Sequence, residues 1–258
     1  MTGVYPSPVD ERDYRLQNIA RAIAVPMAVL LPVYEILDQG WCGTCVGKGC
    51  NTIISSNYNK KLSSLFIYIR CKQQDGIPHF EGTYPSVALK VLRQEGSCED
   101  KLLPYSRLKT CNLYPSLTEE MKSNAANHKI DSYARLWSLN EIKQALASGL
   151  YVGASFYTND RWYTHRTGII PKHGGKEGLH WITICGYDDT KGLRIANTWN
   201  KTWGEGGYAW LSYEAMEDMV EAWAIRMTAP IKVETVWESF IKRLIELLIK
   251  FLGGDAES

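Results

Sequence analysis

The sequence lacks a dominant charge. Its 258 residues carry 29 Lys and Arg against 28 Asp and Glu, a net charge of +1. That leaves no chain-wide electrostatic footprint for nucleic acid. Long apolar runs are also missing. Ile19 to Leu31 is apolar-rich, but Arg21 and Pro26 break it and Pro32 follows, so it is too short and interrupted to span a membrane. Residues 1–15 are polar, carry Pro6 and Pro8, and show no basic segment followed by an apolar one. No secretory signal is read there, which predicts a reducing compartment and mostly free thiols. There is no internal repeat, low-complexity tract, phosphate loop or dinucleotide fingerprint. His79, His128, His165 and His173 fall in separate loops without ligand spacing, so no metal and no cofactor are expected. His173 sits in a Gly-rich turn and is expected to be solvated. The cysteines number seven. At least one thiol is therefore unpaired within the chain, and the density is far below that of a small disulfide scaffold.

What is present suits a globular protein. Hydrophobic residues make up 45% and charged residues 22%, enough apolar surface for a core and against disorder. The length fits one large domain or two small ones sharing an interface. The first forty residues read as extended chain lying on a body. Helices are predicted over 46–59, 62–74 and 84–94, the last stopped at Gly96. Gly47 and Gly49 weaken the start of the first. Ser116 with Glu119, and Ser138 with Glu141, form capping boxes that open two more helices, the second ended by Gly149. The style then changes. Short strands are predicted over 151–157, 180–187, 193–197, 208–211 and 222–227, parted by turn residues. Helices followed by strands imply an α+β fold with two packed halves, and a cleft between them is the default place for a site.

Gln39-Gly40-Trp41-Cys42-Gly43-Thr44-Cys45 is the most informative string. Three readings compete. Trp41-Cys42-Gly43-Thr44-Cys45 has the form of a redox dithiol, which implies thiol–disulfide oxidoreductase chemistry. Alternatively, Cys45 opens a helix and acts as a nucleophile, its thiolate stabilised by the helix N-terminus and an imidazolium. The bland reading is a pair of buried or metal-binding thiols. Downstream residues favour the nucleophile, because it needs a base and a group to orient that base. His180 heads an apolar strand 135 positions after Cys45, and Asn197 ends the next strand 17 positions later.

These blocks resemble the papain-like cysteine peptidases (the papain and cathepsin family). The family's Gln-Gly-x-Cys-Gly-Ser-Cys-Trp stands here as Gln39-Gly40-Trp41-Cys42-Gly43-Thr44-Cys45-Val46. Its His-Ala-Val…Gly-Tyr strand is similar to His180-Trp181-Ile182…Gly186-Tyr187. Its Asn-Ser-Trp-Gly…Trp-Gly…Gly-Tyr run is similar to Asn197-Thr198-Trp199-Asn200…Trp203-Gly204…Gly207-Tyr208. The resemblance covers roughly residues 25–228. It implies a papain-like two-subdomain fold, with residues 1–24 an N-terminal extension and 25–230 the peptidase domain. Within that domain the helical subdomain spans about 40–127 and the β subdomain about 128–230, with 231–258 a C-terminal helix and tail.

The resemblance also implies roles. Cys45 is the nucleophile, His180 the acid and base, and Asn197 the group that orients the imidazole. Gln39 is an oxyanion donor with the Cys45 backbone N–H. Trp199 shields the His–Asn bond, Trp203 walls the leaving-group side, and plain core packing competes for both Trp. Gly82 lies where the family sets substrate backbone, and Trp181, beside the base, is expected to narrow the cleft. The substrate is a peptide or protein, hydrolysed through a thioester. The family's bridge from Cys42 has no Cys at the matching segment 78–84, so it is expected to be absent or rerouted, to Cys71 or Cys98. The resemblance leaves no room for the usual long propeptide in the residues before Cys45, so none is expected there. A viral or bacterial enzyme acting inside a cell fits the absent signal. Residues 236–252 form an amphipathic helix with Trp237, Phe240, Ile241 and Leu244 on one face. Packing on its own domain is the first reading; self-association or membrane-surface contact through Lys242, Arg243 and Lys250 are the others. Another acyl transferase on this fold (a transpeptidase or amidase) and a non-catalytic scaffold stay open.

Overall fold

The computed structural model describes residues 3–227; the predicted helix over 236–252 lies outside them. After α1 (Leu16–Ile19) and β1 (Ala28–Leu30) comes α2 (Cys45–Tyr58), buried from Cys45 through Ser56. Such a helix belongs inside the molecule. It packs against α3 (Ser64–Lys72), α4 (Pro85–Gln94) and the sheet. The glycines that weaken its first turns serve this packing. A Cβ on Gly49 would stand 2.4 Å from Trp181 Cδ1, and one on Gly47 3.1 Å from Tyr68 Cβ. Ser63 caps α3 by accepting from the Phe66 N–H at 3.0 Å. Pro85 opens α4, where a missing N–H costs nothing.

Two capping expectations fare differently. Thr118, not Ser116, caps α5 (Glu119–Ala125), accepting from the Met121 N–H at 3.2 Å. Its extended backbone puts the hydroxyl two residues further on than the box from Ser116 placed it. At α6 (Leu139–Ala147) the Ser138 hydroxyl accepts from the Glu141 N–H, and the Glu141 carboxylate accepts from the Trp137 N–H at 2.6 Å.

The remaining strands are β2 (Ser132–Leu136), β3 (Tyr151–Thr158), β4 (Ile169–Ile170), β5 (Gly178–Asp188), β6 (Gly192–Ala196), β7 (Tyr208–Leu211) and β8 (Met219–Arg226). They join in the order β2-β8-β3-β5-β6-β7-β4, with β1 also paired to β5. Every pair is antiparallel except the short β4–β7 pair. Strand β5 is the spine, buried from Leu179 through Tyr187. Gly186 admits β1, since a Cβ there would lie 2.4 Å from Val29 O. The short helix α7 (Asp160–Thr164) follows β3.

The early chain ties the helices to the sheet. Val4 pairs with Thr83, and the Arg135 guanidinium donates to Asp13 and to Pro8 O, both at 2.9 Å. A main core spans both parts. A second cluster of Leu65, Phe66, Ile69, Cys98, Leu103, Met121 and Ala125 lies under the segment leading to α5.

Two expectations are corrected. Cys42 is bridged to Cys111, because the loop before Leu113 returns to the Cys42 turn. Cys71 and Cys98 keep buried free thiols, as do Cys45, Cys50 and Cys185. His173 is not solvated. Its Nε2 lies 2.8 Å from Tyr157 O, its Nδ1 accepts from the Gly175 N–H, and Asp218 accepts from the N–H groups of His173 and Gly174. The ring thereby anchors the Gly-rich turn.

Candidate active site

Cys45 is the first residue of α2. Backbone N–H groups there have no acceptor within the helix and carry its positive end. The N–H groups of Trp181, Val46 and Gly3 face the Cys45 sulfur. The first of these places the thiol against the His180-Trp181 peptide of β5, so the fold brings the α2 start to the strand that carries the imidazole.

His180 is fully buried. Its Nε2 meets Asn197 Oδ1 at 2.7 Å. Its Nδ1 is buried without a hydrogen-bond partner among the described residues, which leaves that nitrogen for a reacting group. The pairing follows from the sheet, because Asn197 comes immediately after β6, the neighbour of β5. Asn197 Oδ1 also accepts from the Thr198 N–H at 2.7 Å, and the Asn197 N–H donates to Gly207 O. The carboxamide is thus held from two sides. Trp199 lies on the imidazole with ring centroids 4.5 Å apart, and Tyr163 of α7 lies on Trp199 at 4.8 Å. This three-ring stack closes one side of the His180–Asn197 bond.

Gln39 is buried and held by several groups. Its side-chain N–H donates to Cys42 O at 3.0 Å, and its Oε1 accepts from the Thr198 hydroxyl at 2.7 Å. Its backbone N–H donates to Thr198 O. The residue after Asn197 therefore orients the Gln39 amide, a link that spacing alone does not reveal.

The cleft is occupied by the chain's own N-terminal residues. The Thr83 N–H donates to Gly3 O and the Tyr5 N–H donates to Thr83 O, both at 3.1 Å, a parallel pairing about Val4. Gly3 fits between two glycine-containing turns. A Cβ on it would lie 2.0 Å from Gly43 O, and one on Gly82 would lie 2.6 Å from Gly3 O. Further on, the Ser7 hydroxyl accepts from the Ser86 N–H, and the Ser7 N–H donates to Glu221. Burial pushes the Cys45 thiol up to about 11 and the His180 imidazole down to about 4. Both groups are therefore neutral near pH 7.

The other expected site residues divide. Gly82 adjoins the strap, but its own polar groups turn inward. Its carbonyl accepts from Lys72 and its N–H donates to the Tyr68 hydroxyl. The pairing backbone belongs to Thr83, one residue on. Trp181 does not narrow the cleft. Side chains alternate along a strand, so it points away from His180 and fills the space that Gly49 and Gly153 leave. Trp203 is mostly buried, donates from its indole to Trp162 O, and with Trp199, Tyr163, Arg166 and Asp38 lines a cavity of about 370 Å³. Thr83, Tyr163 and Thr198 are the site residues that sequence reasoning missed. Tyr163 sits on a helix of five residues, too short for a periodic signal.

A helical part and an antiparallel sheet that meet at a buried Cys, with a His–Asn pair whose His stands on the strand whose backbone touches it, define the architecture of a thiol peptidase. The family model for papain family cysteine protease matches residues 28–227, and the chain belongs to that family. Among similar proteins, "Peptidase 1" of Euroglyphus maynei is 25% identical over 222 residues, covering 80% of this chain and 65% of that protein. "Peptidase 1" of Psoroptes ovis is 27% identical over 194 residues, covering 69% and 56%. The chain thus spans less than two thirds of the length of either. Xylellain, a cysteine protease from Xylella fastidiosa, superposes with a TM-score of 0.76 at 26% identity, covering 88% of this chain and 96% of that one. The Carica candamarcensis cysteine protease CMS1MS2, solved in complex with E-64, has a TM-score of 0.66 at 19% identity over 80% of this chain and 100% of that one. The expected papain-like α+β fold is borne out.

Proposed function

We propose that the chain is a cysteine peptidase that hydrolyses peptide bonds through a thioester, and that the form described here is latent. The observation that carries the reading is the Cys45 sulfur at the head of α2 and against the His180-Trp181 peptide, with His180 held at 2.7 Å by Asn197. In this reading the strap leaves and water and substrate enter. The cost of charging Cys45 and His180 then falls, and a thiolate–imidazolium pair forms. The sulfur attacks the scissile carbonyl. The oxyanion takes hydrogen bonds from the Cys45 N–H and the Gln39 amide. His180 passes its proton to the leaving amine and then activates the water that opens the thioester. Thr83 offers an N–H and a carbonyl to an extended peptide, as it does now to Gly3 and Tyr5. The cavity beside Trp199 and Trp203 receives the leaving side. A redox role for Cys42 with Cys45 lacks support, since Cys42 is joined to Cys111.

The test is labelling with an epoxide-type thiol-peptidase inhibitor, with mass mapping, on the chain with residues 1–6 removed. Expected is modification at Cys45, kept in Cys42→Ala and lost in His180→Ala, with peptide hydrolysis lost in Cys45→Ala. Modification at Cys42, or at no cysteine, overturns the assignment.

A further inference from the structure

Behind the Gln39–Thr44 segment is a second cavity, of about 280 Å³, lined among others by Glu35, Asp38, Lys48, Asn51, Asp100 and Tyr105. Its polar groups do not balance one another. Asp100 pairs with Lys61 at 3.6 Å, and Asp38 accepts from the N–H groups of Gly40 and Asn200. Three groups are left over. Lys48 is 4% exposed, and its ammonium has no hydrogen-bond or ion-pair partner among the described residues; its Nζ rests 3.3 Å from the centroid of the Tyr105 ring. Asn51 Oδ1 is buried without a hydrogen-bond partner among the described residues, and so is Glu35 Oε1. A buried lysine without an acceptor and two buried acceptors without donors are costly within one fold. Their surplus is one cation, one carboxylate oxygen and one amide oxygen. The complement is a neutral molecule with an anionic end and a cationic N–H-rich end.

We propose that this cavity binds a small zwitterion, a free amino acid or dipeptide, with its carboxylate on Lys48 Nζ and its ammonium on Glu35 and Asn51. At about 280 Å³ the cavity falls just under the range of ligand pockets, which run from roughly 300 Å³ upward. That volume suits an occupant of one or two residues. Binding does not depend on the peptidase reading; its use does. The Tyr105 hydroxyl donates to Gln39 O at 2.9 Å and shares a hydrogen bond with Thr44 Oγ1 at 2.7 Å. An occupant against Tyr105 therefore bears on the oxyanion donor and on the residue before Cys45. The class of molecule that fits is the class that peptide hydrolysis releases.

The charge state of Lys48 supplies a signature. Burial lowers it to about 7, opposed by Asp100, Asp38 and Glu35 and assisted by Lys61. At pH 8 it is mostly neutral, and a carboxylate placed on it draws a proton from solution. The experiment is calorimetric titration of the full-length Cys45→Ala chain with diglycine at pH 8, in two buffers of different ionisation enthalpy. The strap covers the cleft in this form, and no turnover enters the readout. Expected is saturable binding with net proton uptake, shared between Lys48 and the diglycine amine, which is itself about half neutral at this pH. N-acetyl-diglycine and diglycine amide, each lacking one charge, bind about tenfold or more weakly. So does diglycine to Lys48→Met or to Glu35→Gln. The absence of saturable heat, equal binding by the blocked peptides, or full affinity in Glu35→Gln overturns the site. Glu35→Gln keeps the test decisive if Lys48→Met does not fold.

Discussion

His180 and Trp181 are adjacent, and the strand separates their work. One pairs with Asn197; the other is locked in the interior by two glycines. A Cβ on Gly153 would lie 2.0 Å from Trp181 Cζ2, closer than any tolerable contact. The indole is fully buried and cannot withdraw. Gly153→Ala is therefore expected to cost about 1–3 kcal/mol or more through overpacking. Urea unfolding measures it as a lower midpoint at unchanged slope. The double variant with Trp181→Leu recovers part of the loss, because the clash is with that ring. Loss of stability that Trp181→Leu does not relieve assigns the glycine another role.

The strap is an element whose use depends on one small residue. Gly3 passes between Gly43 and Gly82, with room for hydrogen but not for carbon. Its N–H faces the Cys45 sulfur, and its carbonyl accepts from Thr83. With the thiol held at about 11, the thiolate fraction at pH 7 is roughly 10⁻⁴. Gly3→Ala is expected to lift the strap and to raise the rate of iodoacetamide alkylation at Cys45, read by mass mapping at pH 7, about tenfold or more. An unchanged rate means that the strap does not guard the thiol. This element also marks the reach of the sequence. The helices α2, α4 and α6 and the strands β3, β5, β6 and β7 were legible, because their periodicity, Pro85, Ser138 and Gly149 are local signals. Cys45, His180, Asn197 and Gln39 were legible as motifs, and the fold sets His180 against Asn197 and Gln39 against Thr198. The strap was not legible, because an extended Gly3–Tyr5 has no periodicity and its partner Thr83 is eighty residues away. The Cys42–Cys111 bridge was hidden likewise, since loop closure over 69 residues leaves no mark in either segment.

Across the whole molecule, burial holds several titratable groups neutral, and each sets one limb of the stability profile. Lys48 is lowered from 10.5 to about 7. Between those values the unfolded chain binds a proton that the native chain does not. Stability therefore rises with pH across that window, by about 1.4 kcal/mol per unit for one group. The thiols act oppositely. Cys45 is raised to about 11, and Cys98 and Cys185 to about 12. Above their ordinary value of 9.0 the unfolded thiols ionise while the native ones do not, so stability falls as pH rises further. His180 is lowered from 6.5 to about 4. It adds a loss as pH falls through that interval, because only the unfolded imidazole takes up the proton. The three limbs together put the maximum near pH 9, alkaline of neutrality. The urea midpoint is expected to climb from pH 7 to 9 and decline beyond. In Lys48→Met the climb between 7 and 9 flattens, while the decline above 9 and the loss below 6.5 stay. A wild-type profile flat from 7 to 9, or an equally steep climb in Lys48→Met, means that Lys48 is charged in the native chain and already paired there. That result would also remove the Lys48 share of the proton uptake expected when a carboxylate enters its cavity.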